Sequence, residues 1–149
     1  MRLLNLKPPL IACLLLALSV GLHFVLPQAD RRQFACALCG VTAIAIGCGV
    51  LLWAWWLFRK SGTPTRPTAQ ATALVTSGPF RVSRNPMYLA VVVLLLGIAV
   101  WVGSLPMLIA PVGFLAVMSL VVIPAEERRL RETFGEAYLS FTQRVRRWM

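Results

Sequence analysis

Three long apolar runs, none of which contains Asp, Glu, Lys or Arg, determine where this chain can fold. They cover residues 10–27, 34–58 and 87–123. A helix needs about 20 apolar residues to cross the hydrocarbon core of a bilayer, and each run reaches or approaches that length. The hydrophobic share of 58% also lies above the roughly 45 to 50% of ordinary soluble domains. The sequence therefore predicts an integral membrane protein.

The third run is too long for one crossing, and a turn signal interrupts it. Gly103, Ser104, Leu105 and Pro106 stand near its middle, so we predict two helices joined by a tight turn. The predicted fold class is all-α, a polytopic membrane protein with about four transmembrane helices and a C-terminal amphipathic surface helix. As one domain over 1–149, it has helices at 10–26, 34–58, 87–102 and 107–123, a cytoplasmic loop at 59–86 and an amphipathic tail at 124–149.

The positions of the basic residues predict the orientation. With both termini inside, thirteen of the fifteen Lys and Arg residues fall on the cytoplasmic side, as the positive-inside rule favours. We expect a multi-pass protein with cytoplasmic N- and C-termini, in the inner or plasma membrane of a prokaryote. Because most of the net charge of +10 lies close to helix ends, membrane lipids explain it better than nucleic acid, which we do not expect as a partner.

Two cysteines have the spacing of a redox motif. Cys36-x-x-Cys39 lacks the βαβ context that supports a redox or metal function, so we predict no metal site. Small residues four positions apart, Cys36 with Gly40 and Ala43 with Gly47, offer the simpler interpretation. Such spacing lets neighbouring helices approach closely.

Two segments carry the residues capable of chemistry. In the first, Asn85 suits a helix cap and Pro86 the first helical turn, so the loop leads directly into the third helix. In the second, the fourth helix is predicted to end near Pro124, and Glu126 and Glu127 then begin the tail. Its apolar positions recur at spacings of three and four, which is typical of an amphipathic helix, and Gly135 is predicted to divide it. These positions are Leu130, Phe134, Tyr138, Phe141, Val145 and Trp148.

The predicted hairpin brings these segments together. Helices three and four are antiparallel with almost no loop between them, and packed helix axes lie about 8 to 10 Å apart. We therefore expect Arg84, Asn85 and Tyr88 to face Glu126 and Glu127 at the cytoplasmic ends. A site with both charge signs and an aromatic ring suits a zwitterionic small molecule.

The same residues resemble the motifs of a membrane enzyme family. The first segment has Gly78 and then Arg-Asn-Pro-Met-Tyr at 84–88, and the second has Glu-Glu-x-x-Leu at 126–130 followed by Phe-Gly-x-x-Tyr at 134–138. They resemble the isoprenylcysteine carboxyl methyltransferase and phospholipid methyltransferase family of integral membrane methyltransferases. The resemblance covers about half the chain, roughly residues 74–149.

That resemblance implies an S-adenosylmethionine-dependent methyltransferase that acts on a lipophilic or membrane-embedded acceptor carboxylate, amine or thiol. It implies catalytic roles for Arg84, Asn85 and Glu127. The implied residues for binding S-adenosylmethionine are Gly78, Arg84, Asn85, Pro86, Tyr88, Glu126, Glu127 and Tyr138. Partners would be a lipophilic small-molecule or lipid acceptor and membrane lipids.

One position departs from the family pattern. Asn85 stands where eukaryotic members carry His, and an amide cannot act as a general base near neutral pH. Two other functions stay open: a non-catalytic membrane scaffold or assembly protein that retains the fold, and a small transporter. The transporter is disfavoured because no charged residue lies inside a predicted crossing.

Overall fold

The computed structural model describes residues 7–26, 34–62 and 74–149, and its regular elements there are helices. Its six α-helices are α1 (Pro8–Val25), α2 (Ala37–Lys60), α3 (Pro86–Val102), α4 (Ile109–Val117), α5 (Ile123–Phe134) and α6 (Glu136–Arg144). Short 3₁₀ helices cover Gly78–Arg81 and Leu105–Leu108, and a π-helical turn covers Met118–Val122. The predictions for residues 1–6, 27–33 and 63–73, which include part of the 59–86 loop, lie outside the described residues.

The apolar helices confirm the predicted class, an all-α polytopic membrane protein. Among the described residues, three helical stretches are long and apolar enough to cross a bilayer: Pro8–Val25, Ala37–Lys60 and Leu105–Phe134. Helix α3 is equally apolar but shorter, with 17 residues; at about 1.5 Å per residue it reaches most of the hydrocarbon thickness. Exposed Leu38, Leu52 and Leu120 give these helices apolar outer surfaces suited to lipid.

The predicted turn between the third and fourth helices is confirmed. Gly103 ends α3 in the left-handed conformation, with φ of 77°. A side chain there would also collide with Ala35, because an added Cβ would lie 2.5 Å from the Ala35 Cα atom. The Phe34 N–H donates to the Gly103 carbonyl at 3.3 Å, which fastens the segment before α2 to this turn.

Glycines allow α2 and α3 to pack backbone to backbone. A Cβ added at Gly40 would lie 2.8 Å from the Gly97 carbonyl oxygen, and one added at Gly47 would lie 2.8 Å from the Ala90 carbonyl oxygen. This agrees with the interpretation of the small residues as helix contacts. Cys36 lies one residue before α2 rather than inside it, and a disulfide joins it to Cys39.

Helix α1 packs on the opposite side of the bundle from α2. It contacts α4 and the 3₁₀ turn at Leu105–Leu108, so the spatial order is α2, α3, α4, α1. His23 Nδ1 lies 2.8 Å from the Oγ of buried Ser104 and links α1 to the α3–α4 turn. Phe114 and Met118 are fully buried in the core that these helices share.

The prediction that the fourth helix ends near Pro124 is wrong. The helical stretch continues from Leu105 to Phe134 through the π-helical turn and α5. Pro124 lies in the first turn of α5, directly after the π-helical turn. Proline lacks an N–H and cannot donate to the preceding turn. The altered hydrogen bonding of the π-helical turn accommodates Pro124, so the helical stretch continues.

The tail divides at Gly135, as predicted. Gly135 has φ of 50° and ψ of −124°, which a residue with a side chain rarely adopts, and it separates α5 from α6. Tyr138, Phe141 and Val145 form a small apolar cluster on the inner face of the tail, while Arg128 and Arg144 are exposed. The amphipathic pattern therefore packs the tail against the rest of the protein.

Candidate functional site

The first turn of α3 and the first turn of α5 lie side by side. The Tyr88 hydroxyl donates a hydrogen bond of 2.7 Å to Oε1 of Glu126. The Tyr88 ring also packs edge-on against Phe114, with 6.4 Å between ring centroids. The hairpin thus brings the two predicted segments into contact, and Tyr88 connects Glu126 to the apolar core.

The next residue along α5 is a buried acid between two guanidinium groups. Glu127 Oε1 lies 3.1 Å from Nη1 of Arg84. Arg147 donates to the same carboxylate through two nitrogens, with Nε 3.2 Å from Oε1 and Nη2 2.7 Å from Oε2. Such a two-nitrogen contact is the strong, orientation-specific form of an Arg–carboxylate pair. Because one carboxylate faces two cations, the cluster has a net positive charge.

Main-chain contacts fasten the end of the tail to the segment before α3. The Arg84 N–H donates to the Arg146 carbonyl at 3.0 Å. The Ser83 hydroxyl and the Asn85 side-chain amide both donate to the Arg147 carbonyl, at 3.2 and 3.1 Å. Asn85 occupies the cap position of α3, but its side chain does not make the predicted cap hydrogen bond, because the amide binds the tail instead.

A cavity of about 70 Å³ lies between these elements. Part of its lining is polar: Arg84, Asn85, Glu126, Glu127 and Tyr138. The rest of its lining is apolar: Phe58, Leu74, Val75, Phe80, Leu130 and Phe141. Phe58 and Phe80 meet edge to face there, with 5.3 Å between centroids. The cavity can therefore contact a charged group and an apolar group at once.

Three of the predicted site residues do not line this cavity. Tyr88 contributes through its hydrogen bond to Glu126. Pro86 occupies the first turn of α3, as expected for a residue that sets backbone geometry. Gly78 has φ of 59°, and an added Cβ would lie 2.6 Å from the Leu57 side chain, so its requirement for glycine comes from backbone conformation and packing on α2.

The electrostatics of the tail residues follow from their surroundings. Burial raises the pKa of the Tyr138 phenol above its ordinary value, and the nearby Glu127 carboxylate adds to this effect. Tyr138 is only 2% exposed. The hydrogen bond to Glu127 raises the pKa of Arg147, so this guanidinium stays charged. The cluster therefore keeps its cationic character at neutral pH.

Several contributors were missed by sequence reasoning. Arg147 is one of six arginines in the tail, and nothing in their spacing distinguishes it from the others. Ser83 and the aromatic pair Phe58 and Phe80 were likewise not predicted as site residues. Only the chain reversal after α6 places Arg147 against Glu127, and no periodic pattern indicates that reversal.

One polar atom of a residue that lines the cavity lacks a partner. The Nε atom of Arg84 is buried and has no hydrogen-bond acceptor within the described part of the chain. A buried N–H without an acceptor costs free energy, on the order of 1 to 3 kcal/mol. An anionic or carbonyl oxygen of a ligand in the cavity would satisfy it. The donor set therefore fits a ligand that carries a carboxylate.

Comparison with known proteins identifies the family of this chain. The model of the family described as phospholipid methyltransferase matches residues 35–137. The chain belongs to the phospholipid methyltransferase family. A further relative, an uncharacterised protein of Haemophilus influenzae, is 33% identical over 63 residues, which are 42% of this chain and the whole of that protein. No solved structure matches the chain.

The match to phospholipid methyltransferases includes the whole first segment and the second segment as far as residue 137. Arg84, Asn85, Glu126 and Glu127 lie inside it, whereas Tyr138 and Arg147 lie beyond its end. Membership therefore supports methyltransferase activity in general. It assigns no role to the end of the tail.

Proposed function

We propose that the protein is an S-adenosylmethionine-dependent methyltransferase whose acceptor is lipophilic or embedded in the membrane. The observation that carries the proposal is the mixed-charge cavity at the start of α3 and α5, most of whose lining residues the phospholipid methyltransferase model matches. The family supports methyl transfer, and the cavity supports binding of a zwitterionic donor.

The donor would be held by groups of complementary charge. Arg84, with its unpartnered Nε, suits the donor carboxylate. Glu126 lines the cavity and accepts a hydrogen bond from the neutral Tyr88 hydroxyl, so its carboxylate suits a cation. When bound, S-adenosylmethionine supplies an electrophilic methyl group on a sulfonium.

The apolar lining residues favour an apolar acceptor. Phe58 and Phe80 line the cavity, and Phe80 belongs to an apolar cluster that includes Ala54 of the membrane-spanning α2. An acceptor could thus keep its hydrocarbon part near α2 and present its nucleophile to the polar lining residues. The acceptor class, a carboxylate, amine or thiol, is part of this proposal.

The chain's own contribution to catalysis would be positioning. Asn85 cannot remove a proton near neutral pH, and its amide holds the tail through the Arg147 carbonyl. Arg84 and Glu127 would fix the donor so that the acceptor meets its methyl group in line, an effect that can contribute several kcal/mol, about 7 to 11 in the best-oriented cases. We further propose that the site faces the cytoplasm, the side where the positive-inside rule places the basic loop and tail.

A binding experiment tests this function. The protein in detergent is titrated with S-adenosylmethionine by calorimetry, beside Arg84→Ala and the control Arg81→Ala, which removes an exposed arginine of the same segment. We expect binding by the wild type and Arg81→Ala, and clearly weaker binding by Arg84→Ala. No binding by folded wild-type protein at millimolar donor would contradict the proposal.

One feature favours a second candidate, a non-catalytic scaffold. The cavity of about 70 Å³ is smaller than the roughly 300 to 1,000 Å³ of ligand pockets, so a donor must widen it. Mass spectrometry separates the two functions. Incubation of membranes with enzyme and donor should add about 14 Da per methyl to an acceptor if the protein is an enzyme. A scaffold would leave every lipid unchanged.

A further inference from the structure

We infer that Arg147, beyond the region matched by the family model, is a positioning residue for the methyl donor. It would be the main ion-pair partner of Glu127, so that Arg84 stays available for the donor's carboxylate. This inference rests on the proposed function. It concerns the strap, which we define as residues 145–148.

The strap is held firmly at both ends. Val145 is buried against Tyr138 and Phe141, and Trp148 packs on the core shared by α1, α3 and α4. Between them, the carbonyls of Arg146 and Arg147 accept hydrogen bonds from the segment before α3. The Arg147 side chain is therefore placed by its backbone.

Arg147 approaches Glu127 from outside the cavity. It does not line the cavity, whereas Glu127 and Arg84 do, and its side chain is 39% exposed against 14% for Arg84. Its two nitrogens contact both carboxylate oxygens, while Arg84 contacts only Oε1. Arg147 is thus the main counterion of Glu127.

The charges give this arrangement a consequence for the ligand. With Arg147 present, two cations share one acid, and Arg84 retains a buried N–H without an acceptor. Without Arg147, Arg84 would be the sole guanidinium partner of Glu127, and the pair would be neutral. A neutral pair attracts a carboxylate less strongly than a cationic cluster does. Arg147 therefore prepares Arg84 for an anionic group.

The test measures ligand binding with two probes that differ in one group. S-adenosylhomocysteine has the amino-acid carboxylate, whereas S-adenosyl-3-thiopropylamine has the same adenosine, sulfur and ammonium without it. Calorimetry compares wild type, Arg147→Gln, Arg147→Lys and Arg144→Gln. Arg144 is the matched control because it is exposed and donates to Ser140 within its own helix.

We expect Arg147→Gln to bind S-adenosylhomocysteine about tenfold more weakly and the amine probe as wild type does. Arg147→Lys should restore part of the affinity, because it keeps the charge but not the two-nitrogen contact, and Arg144→Gln should match wild type. Equal losses for both probes would show a merely structural role and overturn the inference, as would unchanged affinity for both. Wild-type protein that binds neither probe would instead contradict the proposed function, and the inference with it.

Discussion

The Tyr88 hydroxyl donates a 2.7 Å hydrogen bond to the Glu126 carboxylate across 38 positions of sequence. The bond exists because α3 and α5 approach each other after the tight turn at Gly103. It fastens the two segments that carry the family motifs. The neutral Tyr88 hydroxyl that binds Glu126 also differs from the partners of Glu127, whose contacts are ion pairs. Adjacent acids on one helix turn therefore have separate surroundings.

A double-mutant cycle should detect the coupling between these residues. Tyr88→Phe leaves the partly buried Glu126 carboxylate without its hydroxyl donor, so we expect a loss of about 1 kcal/mol or more in unfolding free energy. In the Glu126→Gln background the same change should cost less, because a neutral amide is a weaker acceptor. Unfolding in mixed detergent micelles measures all four proteins. Additive effects would contradict a direct interaction.

The glycines of α2 allow a prediction with an internal control. Gly47→Ala places a Cβ 2.8 Å from the Ala90 carbonyl oxygen, so we expect destabilisation of about 1 to 3 kcal/mol from overpacking. Gly49→Ala changes the same helix two positions later, where nothing lies within 4 Å. That control should be neutral or slightly stabilising, since alanine favours helix. The same unfolding assay separates them, and equal effects would show that α2 and α3 are not packed so closely.

Much of the fold was predictable from local patterns. Uncharged runs predict the membrane helices, and Gly103 with Pro106 predicts the turn, because each feature acts through residues close in sequence. The hairpin then predicts that Tyr88 lies near Glu126. These inferences need only helix length, turn chemistry and packing distance.

The remaining features depend on contacts distant in sequence. The π-helical turn that carries the fourth helix past Pro124 has no recognised sequence pattern, so the helix end was placed too early. Asn85 occupies the cap position, but its side-chain amide donates to the tail carbonyl of Arg147 instead of capping the helix. The helical spacing that includes Val145 and Trp148 predicted the strap wrongly, because α6 ends at Arg144 and these two side chains pack against separate clusters.

Tyr138 should make the fold sensitive to alkaline pH. Burial raises the pKa of this phenol from the ordinary value of 10.0, so the folded state retains the proton longer than the unfolded state does. Its contribution to stability is complete below about pH 10 and declines as the pH rises from there through the folded-state pKa. Tyr138→Phe cannot ionise, and its stability should fall less steeply in this range. Unfolding measured between about pH 8 and 11 tests this, and parallel curves for both proteins would contradict it.

The last prediction concerns Glu127, the acid that both arginines contact. The Glu127 carboxylate neutralises part of the charge of Arg84 and Arg147. Glu127→Gln puts an uncharged amide of similar size in its place, so the two guanidinium groups lose their shared counterion. We expect donor binding to weaken by about 1 kcal/mol or more, because Arg84 loses the partner that fixes its position. Glu132→Gln makes the same chemical change at an exposed position of α5 and should bind S-adenosylmethionine as wild type does. Calorimetry measures the affinity of each variant for the donor, after circular dichroism has shown wild-type helical content. Equal affinity in Glu127→Gln and Glu132→Gln would place the donor elsewhere.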